Sequence, residues 1–243
     1  MYKLTIRFFQ LLLIVSLGVI SQSCEDACAD VACQNGGACL DGVCECADGF
    51  EGEFCQNAIP VQKRLDAGTE TPLQLTQKGV ILDSLYGKTY KGGIIFFVNT
   101  EPSKYPNFTG EGMVTTDEDY GNFNEWGCFQ VTGATGAEVG DGPANHQKIL
   151  DAMCSRVPSS TQLVEELTTG GFSDWFLPSI GEVDLMYHNL HLKGHSNFLR
   201  NIQRFQSSTE ADANNFMLRL FWRDEIAPIS KVSGDDIRPA RIF

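Results

Sequence analysis

Gly92-Gly93-Ile94-Ile95-Phe96-Phe97-Val98 places five bulky apolar residues in a row behind two glycines. β-Branched and aromatic residues without polar alternation read as a strand inside a core, entered from a turn. Outward from this run, Gly112-Met113-Val114-Thr115-Thr116 is a second β segment. Residues 145–157 put Ile149, Leu150, Met153 and Val157 on one helical face, with Asn145 as its cap. Ser179-Ile180-Gly181-Glu182, directly after Pro178, has the spacing of a capping box. The helix it opens carries Val183, Met186, Tyr187 and Leu190 as a core stripe and stops near Gly194. Short β runs follow at 205–208, 216–222, 226–229 and 237–243. Strand, then helices, then several strands predicts a compact α+β domain over 88–243 whose late strands form an antiparallel sheet.

The whole chain has 243 residues, of which 42% are hydrophobic, enough for one good core and a small satellite. Eighteen basic residues stand against 31 acidic ones, a net charge of −13. That balance repels phosphate backbones and anionic membranes, which argues against nucleic-acid binding. From residue 60 onward 16 basic and 23 acidic residues leave −7. Residues 25–55 hold eight acids and no Lys or Arg. Between the two lies a polar stretch, 56–87, that reads as a linker with room for one short amphipathic element.

Seven of the nine cysteines fall within residues 24–55. Their spacing is Cys28-x4-Cys33-x5-Cys39-x4-Cys44-x-Cys46-x8-Cys55, which by count alone permits 15 pairings. Twenty-eight residues cannot bury enough apolar surface to offset their ordering entropy, so covalent staples stand in for a core. Zinc is the competing use of clustered thiols, but the thiols of an exported chain oxidise to disulfides. The C-x-C element followed by Gly49-Phe50 and a final Cys55, together with Asn35-Gly36-Gly37, resembles the epidermal-growth-factor-like family. The resemblance implies a module over 28–55 with pairs Cys28–Cys39, Cys33–Cys44 and Cys46–Cys55. The four-residue gap between Cys39 and Cys44 leaves no room for the calcium-binding element of some members.

Ahead of the module, Lys3 and Arg7 precede an apolar run of about 13 residues ending at Ile20-Ser21-Gln22-Ser23-Cys24. The run is shorter than the roughly 20 residues of a bilayer span and reads as a signal peptide over 1–23. Its end resembles a bacterial lipobox of the loose Bacteroidetes type, with Ser21 where Leu or Val is usual. A lipid on Cys24 also accounts for the odd cysteine count, since eight then remain for pairing. The expectation is an exported chain, membrane-anchored through Cys24 and a short start at 24–27, on the bacterial outer membrane or cell surface.

In the C-terminal domain, Gly171-Phe172-Ser173-Asp174-Trp175-Phe176-Leu177-Pro178-Ser179 with Glu182 resembles the signature of the Lcl C-terminal domain family. Ser207-Ser208-Thr209-Glu210 and Ile237-Arg238-Pro239-Ala240-Arg241 resemble its later motifs, and Gly92–Phe96 with Trp126-Gly127-Cys128 its opening. The family's aromatic pair before the serines is Phe205-Gln206 here, without its Trp. The resemblance implies a C-type-lectin-like fold and a surface-binding role, with glycan binding reported in an adhesin member.

No activated serine, phosphate-cradling glycine loop or dinucleotide fingerprint is present, so the reading is non-catalytic. Cys128 and Cys154 are expected to form a disulfide worth about 3 kcal/mol. Trp126 and Trp222 offer rings for a sugar face, and Glu210, Asp212, Asn214 and Asn215 offer oxygens for sugar hydroxyls or calcium. Asp174, Trp175, Pro178, Glu182, Ser208 and Arg238 read as architectural, with Asp174 and Arg238 as an ion pair or loop braces. His188, His191 and His195 lie near one helix end, where solvation competes with metal binding. The leading expectation is a surface lipoprotein that binds a glycan or protein and needs no cofactor. The alternative is an envelope scaffold that only packs or forms homo-oligomers; an exported hydrolase or redox enzyme comes third.

Overall fold

The computed structural model describes residues 27–127, 129–152, 159–195 and 203–243. Cys24, Cys128 and Cys154, with the lipid and disulfide expected of them, lie outside the described residues, as do Met153 and Val157. Contacts divide the chain into two units, Met1–Ala58 and Ile59–Phe243.

The first unit is held by three disulfides, Cys28–Cys39, Cys33–Cys44 and Cys46–Cys55. Strands β1 (Ala38–Leu40) and β2 (Val43–Glu45) form a hairpin in which Cys39 faces Cys44. Its two-residue turn, Asp41-Gly42, has both residues at positive φ (50° and 84°), the conformation that suits a twisted hairpin. The hairpin sets two neighbouring cysteines side by side, and each ties back to a different upstream partner. Strands β3 (Phe50–Glu51) and β4 (Asn57–Ala58) close a second small pair. Gly37 serves by its lack of bulk: a Cβ there would stand 2.8 Å from Cys55 Sγ. Asn35, at φ 48°, donates from Nδ2 to the Cys55 carbonyl at 2.8 Å.

The second unit begins earlier than the sequence suggests. Helix α1 (Val61–Asp66) and helix α2 (Pro72–Gln77) occupy the stretch expected to be linker. Leu65, Leu75 and Leu85 from this region are buried in the main core. Three leucines spaced ten apart in a polar stretch carry no local period, so the anchoring is tertiary and only the fold exposes it. Thr71 and Gln74 form a capping box that starts α2.

Thereafter come β5 (Thr89–Tyr90), β6 (Gly93–Val98), β7 (Gly112–Thr115) and β8 (Tyr120–Asn124). Helices α3 (Gly142–Asp151), α4 (Ser160–Glu165) and α5 (Ile180–Met186) follow, the last running into a π-turn at Tyr187–His191. The chain finishes with β9 (Arg204–Glu210), β10 (Asn215–Leu220), β11 (Glu225–Ser230), β12 (Asp235–Ile237) and β13 (Ala240–Ile242). The unit is α+β, with a five-stranded sheet ordered β11-β10-β9-β12-β8 and a four-stranded sheet ordered β13-β7-β6-β5.

All six residues of β6 are buried. Each such Ile, Phe or Val contributes roughly 1.5–3 kcal/mol relative to exposure. The α5 stripe of Val183, Met186, Tyr187 and Leu190 is buried as its spacing predicts. Three expectations are corrected. Helix α3 starts at Gly142 rather than Asn145, whose buried amide instead donates to the Gly136 carbonyl and accepts from the Gly136 N–H. Of the late strands, β9, β10 and β11 run antiparallel as expected, but β12 runs parallel to β9, and β13 belongs to the other sheet. The chain crosses between the sheets at Arg238-Pro239, which places Arg238 at their junction, wholly buried. Finally, Asp174 does not pair with Arg238. The antiparallel bridge Phe176↔Ala240 sets the register, so residue 174 comes level with 241–242 and pairs with Arg241.

Candidate functional site

A concavity of the second unit, about 680 Å³, opens at the edge of the four-stranded sheet. One wall is the β5–β6 hairpin, whose turn Lys91-Gly92 has both residues at positive φ (42° and 84°). Gly92 meets the 169–172 turn backbone to backbone: a Cβ on it would lie 2.8 Å from the Gly170 carbonyl oxygen and 2.5 Å from the Phe172 ring. Gly87 comes equally near to His195, whose Cβ would stand 2.6 Å from a Cβ at that glycine. Close approach of three segments therefore builds a lining of main chain, in which Thr89, Thr169 and Tyr120 add hydroxyls.

The opposite wall is the loop Thr116-Asp117-Glu118-Asp119 after β7. Arg238 holds it from below. Its Nη1 donates to the Thr116 carbonyl at 2.6 Å, and its Nε sits 2.6 Å from Asp119 Oδ1, both side chains being buried. Thr116 Oγ1 donates to the Glu118 carbonyl at 2.8 Å, tightening the turn. Asp119 is thus drawn inward, while Asp117 and Glu118 remain exposed along the groove. Burial lowers the Arg238 pKa, an effect opposed by Asp119, Asp117 and Asp236. A guanidinium titrates so far above neutrality that it stays charged.

The residues expected to bind a ligand lie elsewhere and do not converge. Trp126 is fully buried; its Nε1 donates to the Ser207 carbonyl at 2.7 Å, and its ring stacks on Phe216 with 8° between planes. It presents no face to a sugar. Glu210 is buried as well, paired with Lys231 Nζ at 2.5 Å and accepting from the Thr132 and Gly133 N–H groups. Burial pushes its carboxyl up, but Lys231 and those N–H groups outweigh this and leave it below the usual range. Lys231 Nζ also lies 4.6 Å from the Trp126 ring centre. Trp126 and Glu210 are therefore parts of one interior network, in which each polar group satisfies another.

Asp212 and Asn214 sit in the exposed turn before β10, with the Asp212 carboxylate taken up by the N–H groups of Asn214 (2.7 Å) and Asn215 (2.9 Å). The Asn215 side-chain amide, which donates to it at 2.9 Å, and then those N–H groups hold its pKa below the usual range. Trp222 is exposed at the other end of β10, its ring covered by Arg223 at 4.1 Å. Six strand residues separate the two, about 20 Å. The histidines diverge too: His188 approaches Asp184 at 3.5 Å, His191 packs on Tyr187 and Phe221, and His195 backs Gly87. Among the described residues no group of three or more His, Cys, Asp or Glu side chains could hold a metal ion.

The motif residues build the scaffold around the groove. Asp174 pairs with Arg241, whose guanidinium lies 3.6 Å over Phe172, in the turn that touches Gly92. Trp175 is buried and donates from Nε1 to the Thr169 and Phe172 carbonyls, at 3.3 and 3.2 Å. The Pro178 carbonyl accepts from the Ser208 N–H at 2.7 Å, locking the loop before α5 to β9. Glu182, fully buried, closes the capping box with Ser179 and accepts from the Gly140 N–H at 2.9 Å.

The groove acids escaped the sequence reading, although a signal was there. Thr115-Thr116-Asp117-Glu118-Asp119 is a run of hydroxyls and carboxylates directly behind a buried strand. The partners across the groove come from residues 87–94, 169–170 and 194–195, which no local pattern links. Compared with known protein families and with curated proteins, the chain matches none of them.

Proposed function

We propose that the second unit is a non-catalytic binding module whose groove takes a hydroxyl-rich ligand, a glycan. The observation that carries this reading is the lining itself: glycine backbone, the hydroxyls of Thr89, Thr116, Tyr120 and Thr169, the His195 imidazole and two solvent-facing carboxylates, with Ile94 the one large aliphatic side chain. Carboxylates and main-chain groups arranged along an open cleft suit sugar hydroxyls, each of which both donates and accepts. Its volume, about 680 Å³, lies in the range of small-ligand sites and admits a short oligosaccharide.

The rest of the chain fits a display role. The first unit is an epidermal-growth-factor-like spacer, acidic and disulfide-stapled. The second is a C-type-lectin-like domain of the Lcl C-terminal kind, to which the motifs around Asp174, Glu182 and Arg238 point. A lipid on Cys24 anchors the exported chain to the outer membrane or cell surface. A glycan array probed with the full chain, with and without chelator, tests the binding claim. Selective, chelator-insensitive retention is expected. Retention of no glycan, together with a stable homo-oligomer, would favour a scaffold instead.

A further inference from the structure

Resting on that glycan reading, we propose that the groove selects amino sugars bearing a free ammonium group over their N-acylated or neutral counterparts. Asp117 and Glu118 face the cavity, and neither carboxylate makes a hydrogen bond or ion pair with another described residue. None of the lining residues is Lys or Arg, and the one basic side chain among them is the His195 imidazole. Arg238 lies beneath the loop rather than in the groove, bound to the Thr116 carbonyl and Asp119, and Arg241 is engaged by Asp174 and the Lys91 carbonyl. Asp117 and Asp236 are both near enough to act on it electrostatically. One buried guanidinium is thus surrounded by Asp119, Asp117 and Asp236, with Glu118 beside them. On this wall of the groove the carboxylates outnumber the one guanidinium.

The geometry favours a sugar over a basic peptide. A peptide would need an apolar shelf for side-chain stems, whereas Thr89, Thr169 and Tyr120 supply hydroxyls and Gly92 and Gly170 supply main chain. An ammonium group at Asp117 and Glu118 gains charge-assisted hydrogen bonds; an acetamide in its place removes both the charge and two of the donor hydrogens.

The test is calorimetric titration of the full chain, at mildly acidic pH, with four tetramers: glucosamine, N-acetylglucosamine, glucose and lysine. The glucosamine tetramer should bind at least about tenfold more tightly than the two uncharged sugars. The preference should vanish in an Asp117→Asn, Glu118→Gln variant with an unchanged circular dichroism spectrum, and should weaken as salt rises. Equal or tighter binding of an uncharged sugar overturns the ammonium inference while leaving the glycan reading intact. Tetralysine binding more tightly than every sugar replaces it with a peptide site. Binding unaffected by the double variant overturns it in favour of diffuse attraction to an acidic surface. No binding of any sugar sinks both readings.

Discussion

Glu182 shows how a single carboxyl can serve the fold from inside. It accepts N–H groups from Ser179 at 2.7 Å and Gly140 at 2.9 Å, joining the start of α5 to the loop before α3. Burial pushes its pKa from 4.5 to about 7, against the pull of those N–H groups. A carboxyl raised in the folded state contributes stability that is fully present below the unfolded pKa. That contribution is lost as pH rises from 4.5 to about 7. The loss amounts to about 3 kcal/mol. Melting temperatures measured across this window should fall for the native chain and stay flatter for Glu182→Gln. The variant should also be less stable at acidic pH by about 1–3 kcal/mol, because its amide sets a donor against an N–H. A variant with the same slope as the native chain would assign the pH dependence to other groups. The Ser179-x-x-Glu182 spacing made this contact legible in the sequence. Its partner Gly140 was not, since 42 residues of chain separate them.

At the scale of elements, what matters is how closely the turns meet. Gly170 and Gly171 are adjacent and both at positive φ (59° and 82°). A Cβ on Gly170 would collide with the Gly92 backbone, whereas one on Gly171 meets nothing within 4 Å. Gly171→Ala should therefore cost only the backbone term, about 1 kcal/mol. Gly170→Ala should cost clearly more and weaken ligand binding, because the hairpin must shift away. Equal losses in chemical denaturation would mean that the crossing does not constrain the groove. The elements themselves were largely readable: the run at 94–98, the capping box and the late β segments each carry a local period or cap. The helices at 61–66 and 72–77 were not, because isolated leucines gain meaning only from the core they enter. The groove was missed for the same reason. Its walls are brought together by glycine backbones, and close approach has no one-dimensional signature.

The whole molecule joins two units stabilised by different means. Residues 27–58 rely on three disulfides, and the second unit on a continuous apolar core. Closing loops of this size contributes roughly 2–4 kcal/mol per bond. Reduction should therefore strip hydrogen-exchange protection from 27–58 while β6 and β9 keep theirs. Simultaneous loss in both would show that the second unit depends on the first. The central claim is that ligand binds along the groove at the edge of the four-stranded sheet. Hydrogen exchange of the full chain, saturated with the tightest-binding oligosaccharide of the array, tests it most directly. Protection is predicted together at 86–94, 115–120 and 168–171; protection confined to 211–215 and 221–224 would contradict the account.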